Sequence, residues 1–197
     1  MKIFAPKNFM PQVINTQDAM TGQFSQRISL TRGPDFQINF APDRIDFISM
    51  MPSESLAQFT EEVVICARKL EKGSLIFSRI SLVEDILLEE INHSQSEALR
   101  EKLLPHSGEN SIEWMARWVT QENNNSEQYN VCFEAINNPN LMMIHNGRMH
   151  TMNGIKLMSD VSTTHTNTIA RFDIKKLPSI FSTITKIISS QADFIKS

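Results

Sequence analysis

His145, His150 and His165, with Asp160 beside the last of them, are the residues of this 197-residue chain whose types come nearest to a metal set. Imidazoles and a carboxylate ligate zinc or another divalent ion when strands bring them together. Their spacing follows none of the usual ligand motifs, and histidines at the ends of a hairpin are ordinarily solvated. Ser162, His165 and Asp160 supply the residue types of a hydrolytic triad. On one strand, however, positions 160 and 162 share a face while 165 points to the other, and no G-x-S-x-G elbow is present. The carboxylates Glu84, Asp85, Glu89 and Glu90 have the types for acid–base work or cation binding, but a charge run of this kind is more often a solvated face. Cys66 lies on the apolar stripe of a helix, which is a poor setting for a nucleophile. No catalytic residue, metal ligand or cofactor is therefore expected.

Trp114 and Trp118 share one strand face and, with Arg117, could stack nucleobases. Ile112 and Ala116 continue that face, which reads better as core. The formal net charge is −3 and the sequence pI about 6.0. Acidic residues thus outnumber basic ones, which argues against a general nucleic-acid partner. The six glycines form neither G-x-G-x-x-G nor G-x-x-x-x-G-K-[ST], so the common nucleotide-binding loops are absent.

Two features point to protein binding instead. Methionines Met142, Met149, Met152 and Met158 gather in a hairpin and the strand after it, and unbranched Met suits surfaces that accept a partner. The stretch from Gly154 to Thr168 then becomes rich in hydroxyls, including Ser162, Thr164 and Thr166. A hydroxyl face buries little apolar area, so this strand is expected at a sheet edge or interface. These seven residues are the candidate interface.

The elements that must position them follow from periodicity. Residues 1–23 look irregular, with a possible short strand around 12–15. Arg27–Thr31 reads as a strand, Arg32 to Asp35 as a turn, and Phe36, Ile38 and Phe40 alternate with polar neighbours before a hairpin partner at 45–49. A helix is expected at 54–72, capped by Ser53 or Ser55, with Leu56, Phe59, Val63, Cys66 and Leu70 on one face and Gly73 as its stop. Residues 75–90 read as one long strand, although 83–91 also admits a helix. Ser94 and Glu97 form a capping box for a helix at 94–104. Two strands flank an Asn-rich turn at 122–126. Residues 137–140 form a further turn, Asn146-Gly147 a tight hairpin, and Asn153-Gly154 another turn. The last helix, 177–195, carries Leu177, Ile180, Phe181, Ile184, Ile187 and Ile188.

This order predicts an α+β fold: a mainly antiparallel sheet of roughly seven to nine strands with about three helices, in one domain over 24–197. No run of apolar residues is long enough to span a membrane. Pro6 and Pro11 interrupt the N-terminal stretch, so a secretory signal is not expected. Cys66 and Cys132 read as reduced core thiols, which suits a cytoplasmic protein. The expected function is a non-enzymatic protein-interaction module of immunity, antitoxin, chaperone or adaptor type, possible as a homodimer. The alternatives are an enzyme or metal protein using the 84–90 cluster or His145, His150 and His165, and a nucleoprotein component using Trp114 and Trp118.

Overall fold

Phe36, Ile38 and Phe40 alternate with Gln37 and Asn39, and the pleat sends the first set to one face. In the computed structural model Phe36 and Ile38 are buried there with Leu30. The structure describes residues 8–17, 24–33, 35–41, 43–50, 54–70, 75–89, 91–105, 111–124, 127–145, 148–164, 166 and 168–196. They form an α+β fold with ten strands in three antiparallel sheets and three α-helices, and divide into two compact units within 1–75 and 76–197.

The first unit is a four-stranded meander. Its strands β1 (Met10–Gln17), β2 (Phe24–Arg32), β3 (Phe36–Phe40) and β4 (Ile45–Ser49) pair in chain order. The register sets Ile38 between Leu30 and Phe47. Strand β1 is longer than the sequence suggests, because its pairing with β2 from Met10↔Thr31 to Gln17↔Phe24 supplies order that local pattern does not. Helix α1 (Leu56–Leu70) begins at a reciprocal cap, with the Gln58 N–H donating to Ser55 Oγ at 3.3 Å and the Ser55 N–H to Gln58 Oε1 at 2.8 Å. Phe59, Cys66 and Leu70 meet the core of β2 and β3, as their spacing predicts. Burying a side chain such as Ile38 contributes about 1.5–3 kcal/mol. The Arg32 guanidinium closes the core edge, 4.7 Å from the Phe36 ring centroid and 2.9 Å from Glu62.

The second unit holds a four-stranded sheet in the order β6–β9–β8–β7. These strands are β6 (Ser81–Glu89), β7 (Trp114–Asn124), β8 (Glu127–His145) and β9 (Arg148–Thr163). A small separate ladder joins β5 (Ile76–Phe77) to β10 (Phe172–Asp173). The expected long strand at 75–90 is thus divided between two sheets. The division is made by tertiary bonds: Arg171 donates to the Ser78 carbonyl, and Ile80 binds Thr163. No helix forms over 83–89, where β6 pairs with β9.

Helix α2 (His93–Leu103) is capped by Asn92 and Gln95, two residues before the expected Ser94–Glu97 box. Asn92 has the extended backbone of a cap, while Ser94 is already helical and Glu97 instead accepts from Arg100 at 3.0 and 2.9 Å. Helix α3 (Leu177–Lys196) follows a 3-10 turn capped by Asp173, and all six residues of the expected stripe are buried. Among the described residues no helix is long and apolar enough to cross a membrane.

Candidate functional site

Strand β9 is an inner strand. It pairs with β6 along one side and β8 along the other, so the expected sheet edge at Gly154–Thr168 is overturned. Hydroxyls are buried there because each finds a partner at the strand end, and a satisfied hydroxyl tolerates burial. Ser162 is 3 % exposed and accepts from Arg79 at 3.1 Å. Thr163 is fully buried and binds Ile80, while Thr164 is 8 % exposed and shares its hydroxyl with Thr166 at 2.9 Å. Ser162 and Thr164 are therefore buried, although Ser162 shares its strand face with Lys156 and Asp160; Thr166 is exposed and Met158 half-buried.

Gly154 makes no turn, because β9 runs straight through it. A Cβ at this position would lie 2.8 Å from the Leu88 carbonyl oxygen, so glycine here permits close approach of β9 to β6. The expected turn at 137–140 is likewise absorbed into β8 as an irregularity between Asn138 and Leu141.

Beyond that irregularity the sheet narrows. Pairing of β6 with β9 ends at Glu89↔Gly154, and pairing of β7 with β8 ends at Trp114↔Asn137. The β8–β9 ladder alone continues, through five further rungs from Leu141↔Met152 to His145↔Arg148. Met142 stands across from Thr151 and Met149 across from Ile144. This two-stranded extension holds Met142, Met149 and Met152 of the candidate set, and its Asn146-Gly147 turn lies outside the described residues.

One face of the sheet packs under the helices. Trp114 is 7 % exposed and donates through Nε1 to Ser96 Oγ at 3.3 Å. Trp118 stacks on Phe133 with ring centroids 4.5 Å apart. Trp114 thus serves the core and offers no face to a base, and Ile112 lies outside the strand, 76 % exposed. The other face mixes charge and apolar groups. Asp85 bonds Lys156 at 2.9 Å and Arg117 meets Glu134 at 3.5 Å, with Val83, Met115 and Val119 exposed between them. Such exposed pairs stabilise little.

The acidic cluster disperses across the sheet. Asp85 is on the outer face, Glu84 lines an inner cavity, Glu89 is exposed, and Glu90 lies outside the described residues. Asp160 accepts from Ser81 Oγ at 2.9 Å rather than facing a nucleophile. Among the described residues no three His, Cys, Asp or Glu side chains are placed to hold a metal ion. The side chains of His145 and His150, and the whole of His165, lie outside that set. Cys66 is fully buried and donates to Glu62 Oε1 at 3.5 Å, Cys132 is half-buried, and the two are not joined by a disulfide.

Sequence reasoning missed two inner-face cavities. One, of about 580 Å³, is lined by Ile86, Leu88, Leu99, Leu157 and Ile195 with Glu84 and Lys102. The other, of about 380 Å³, lies beside β7 under the end of α3. The change from apolar Trp114 and Ala116 to polar Thr120 and Glu122 along the inner face of β7 was the available signal for the second. The structure also places Tyr129 in the core, 3 % exposed. Burial raises its phenol above the ordinary value; a Thr183 hydrogen bond opposes this and the Glu127 charge adds to it. Comparison with protein-family models, curated proteins and solved structures finds no match for this chain.

Proposed function

We propose that this protein is a non-enzymatic protein-interaction module whose contact surface is the Met-rich extension of β8 and β9. One observation carries the reading: the hairpin from Leu141 to Met152 continues past both flanking strands. A two-stranded hairpin alone is marginal in water. This one is built from Leu141, Ile144 and four methionines, so its apolar content is best covered by another chain. Met158 and exposed Thr166 extend the candidate surface, while Ser162 and Thr164 hold the end of β9 together. The dispersed carboxylates and the bonded Asp160 support a binding role over a catalytic one. Two cysteines with no disulfide between them suit a reducing, cytoplasmic setting.

The partner is another protein, and a second copy of this chain is included. The test compares wild type with a variant in which residues 141–152 are replaced by a two-residue Asn-Gly turn. Affinity capture from the native host and light scattering read partner and self-association, and circular dichroism reads the fold. Loss of a captured partner or of the dimer, with the fold kept, supports the reading. An unchanged set of captured proteins and an unchanged mass contradict it.

A further inference from the structure

Strand β7 ends the sheet, and among the described residues no strand pairs with its outer edge. The strand is regular from Trp114 to Asn124 and contains no proline. A long open edge of this kind is a template for another extended chain.

The second cavity adjoins this edge. Trp118, Thr120 and Glu122 of β7 line it together with Phe133, Gln191 and Phe194. Three aromatic rings therefore face a space in which Glu122 is the charged group. Phe194 already takes a cation on its ring, with Lys102 Nζ 4.9 Å from the centroid. Aromatic faces and a carboxylate together favour a planar cation.

We propose that the β7 edge receives an extended segment of a partner protein, with an inward arginine entering the cavity beside Glu122 and Trp118. Backbone pairing along β7 supplies affinity that is independent of sequence, and the arginine supplies selectivity. The site lies on a different part of the sheet from the hairpin and stands whether or not the hairpin is a contact surface.

The test titrates the full chain with a synthetic peptide, acetyl-Thr-Val-Thr-Arg-Thr-Val-Thr-amide, and follows tryptophan fluorescence. Two further peptides replace the arginine by glutamate or methylate alternate backbone nitrogens. The arginine peptide is expected to bind about ten-fold more tightly than the glutamate peptide. Glu122→Lys reverses that order, and backbone methylation abolishes binding. Equal affinities for the first two peptides, undiminished binding of the methylated one, or no binding at millimolar concentration would each overturn the proposal. So would a two-chain mass that falls to one chain in Val119→Pro, since that outcome assigns the edge to a second copy.

Discussion

Ile80 and Thr163 hold each other reciprocally. The Ile80 N–H donates to Thr163 Oγ1 at 3.0 Å, and the Thr163 N–H donates to the Ile80 carbonyl at 2.9 Å. Both residues are buried, so this clasp fixes where the chain leaves the small β5–β10 ladder and enters the main sheet. Thr163→Val keeps the shape but leaves the Ile80 N–H unpaired, at a cost of about 1–3 kcal/mol. Thr163→Ser keeps the hydroxyl and loses about 0.8 kcal/mol with the methyl group. Urea denaturation with an unchanged slope measures both. Equal losses for the two variants would refute the hydrogen-bond account.

Gly154→Ala brings a methyl group against the Leu88 carbonyl oxygen, a backbone atom that cannot swing aside. The expected destabilisation is about 1–3 kcal/mol, as for other overpacked positions. A midpoint equal to wild type would show that β9 and β6 do not approach this closely.

Tyr129 is the one tyrosine in the chain, which makes its titration directly visible. Burial favours the neutral phenol in the fold, so its native pKa lies above the ordinary 10.0. The stability from this group is complete below the unfolded value. It is lost as pH rises past 10.0 toward the native value, because only the unfolded chain then releases the proton. Phenolate absorbance should therefore appear at higher pH in the native protein than in denaturant. Coincident titrations would contradict the burial.

Arg171 reaches Glu127 through Nε and NH2 while NH1 donates to the Ser78 carbonyl. Lysine cannot make this fork, so Arg171→Lys should cost about 1–3 kcal/mol and loosen the β5–β10 ladder. Faster exchange of the residue 171 amide in the variant, whose N–H donates here to the Phe77 carbonyl at 2.9 Å, would register that loosening. Unchanged exchange and stability would show the fork to be dispensable.

What the sequence made legible was periodic and local. Phe36, Ile38 and Phe40 announced a half-buried strand, and Leu177 to Ile188 announced a helix stripe, because one face of each buries apolar side chains whatever else surrounds it. What it hid depended on distant partners. The hydroxyl-rich stretch holding Ser162 and Thr163 read as a sheet edge or interface, yet both residues are buried in an inner strand. The partners of Ser162 and Thr163, Arg79 and Ile80, lie far away in sequence. Asn153-Gly154 carried the composition of a turn, but its glycine answers to the backbone of β6. Of the candidate surface, the pairing of 141–145 with 148–152 was legible from Asn146-Gly147. The burial of Ser162 and Thr164 was not, since it is set by tertiary contacts with Arg79 and Gln128 rather than by the local pattern.

The central claim is that residues 141–152 meet another protein. Amide hydrogen exchange of this segment, compared between the isolated chain and the chain bound to its captured partner, tests it most directly. The account predicts strong added protection at 141–145 and 148–152, with little change at the inner strand positions 155–161. Unaltered exchange in the hairpin, with new protection elsewhere, would contradict it.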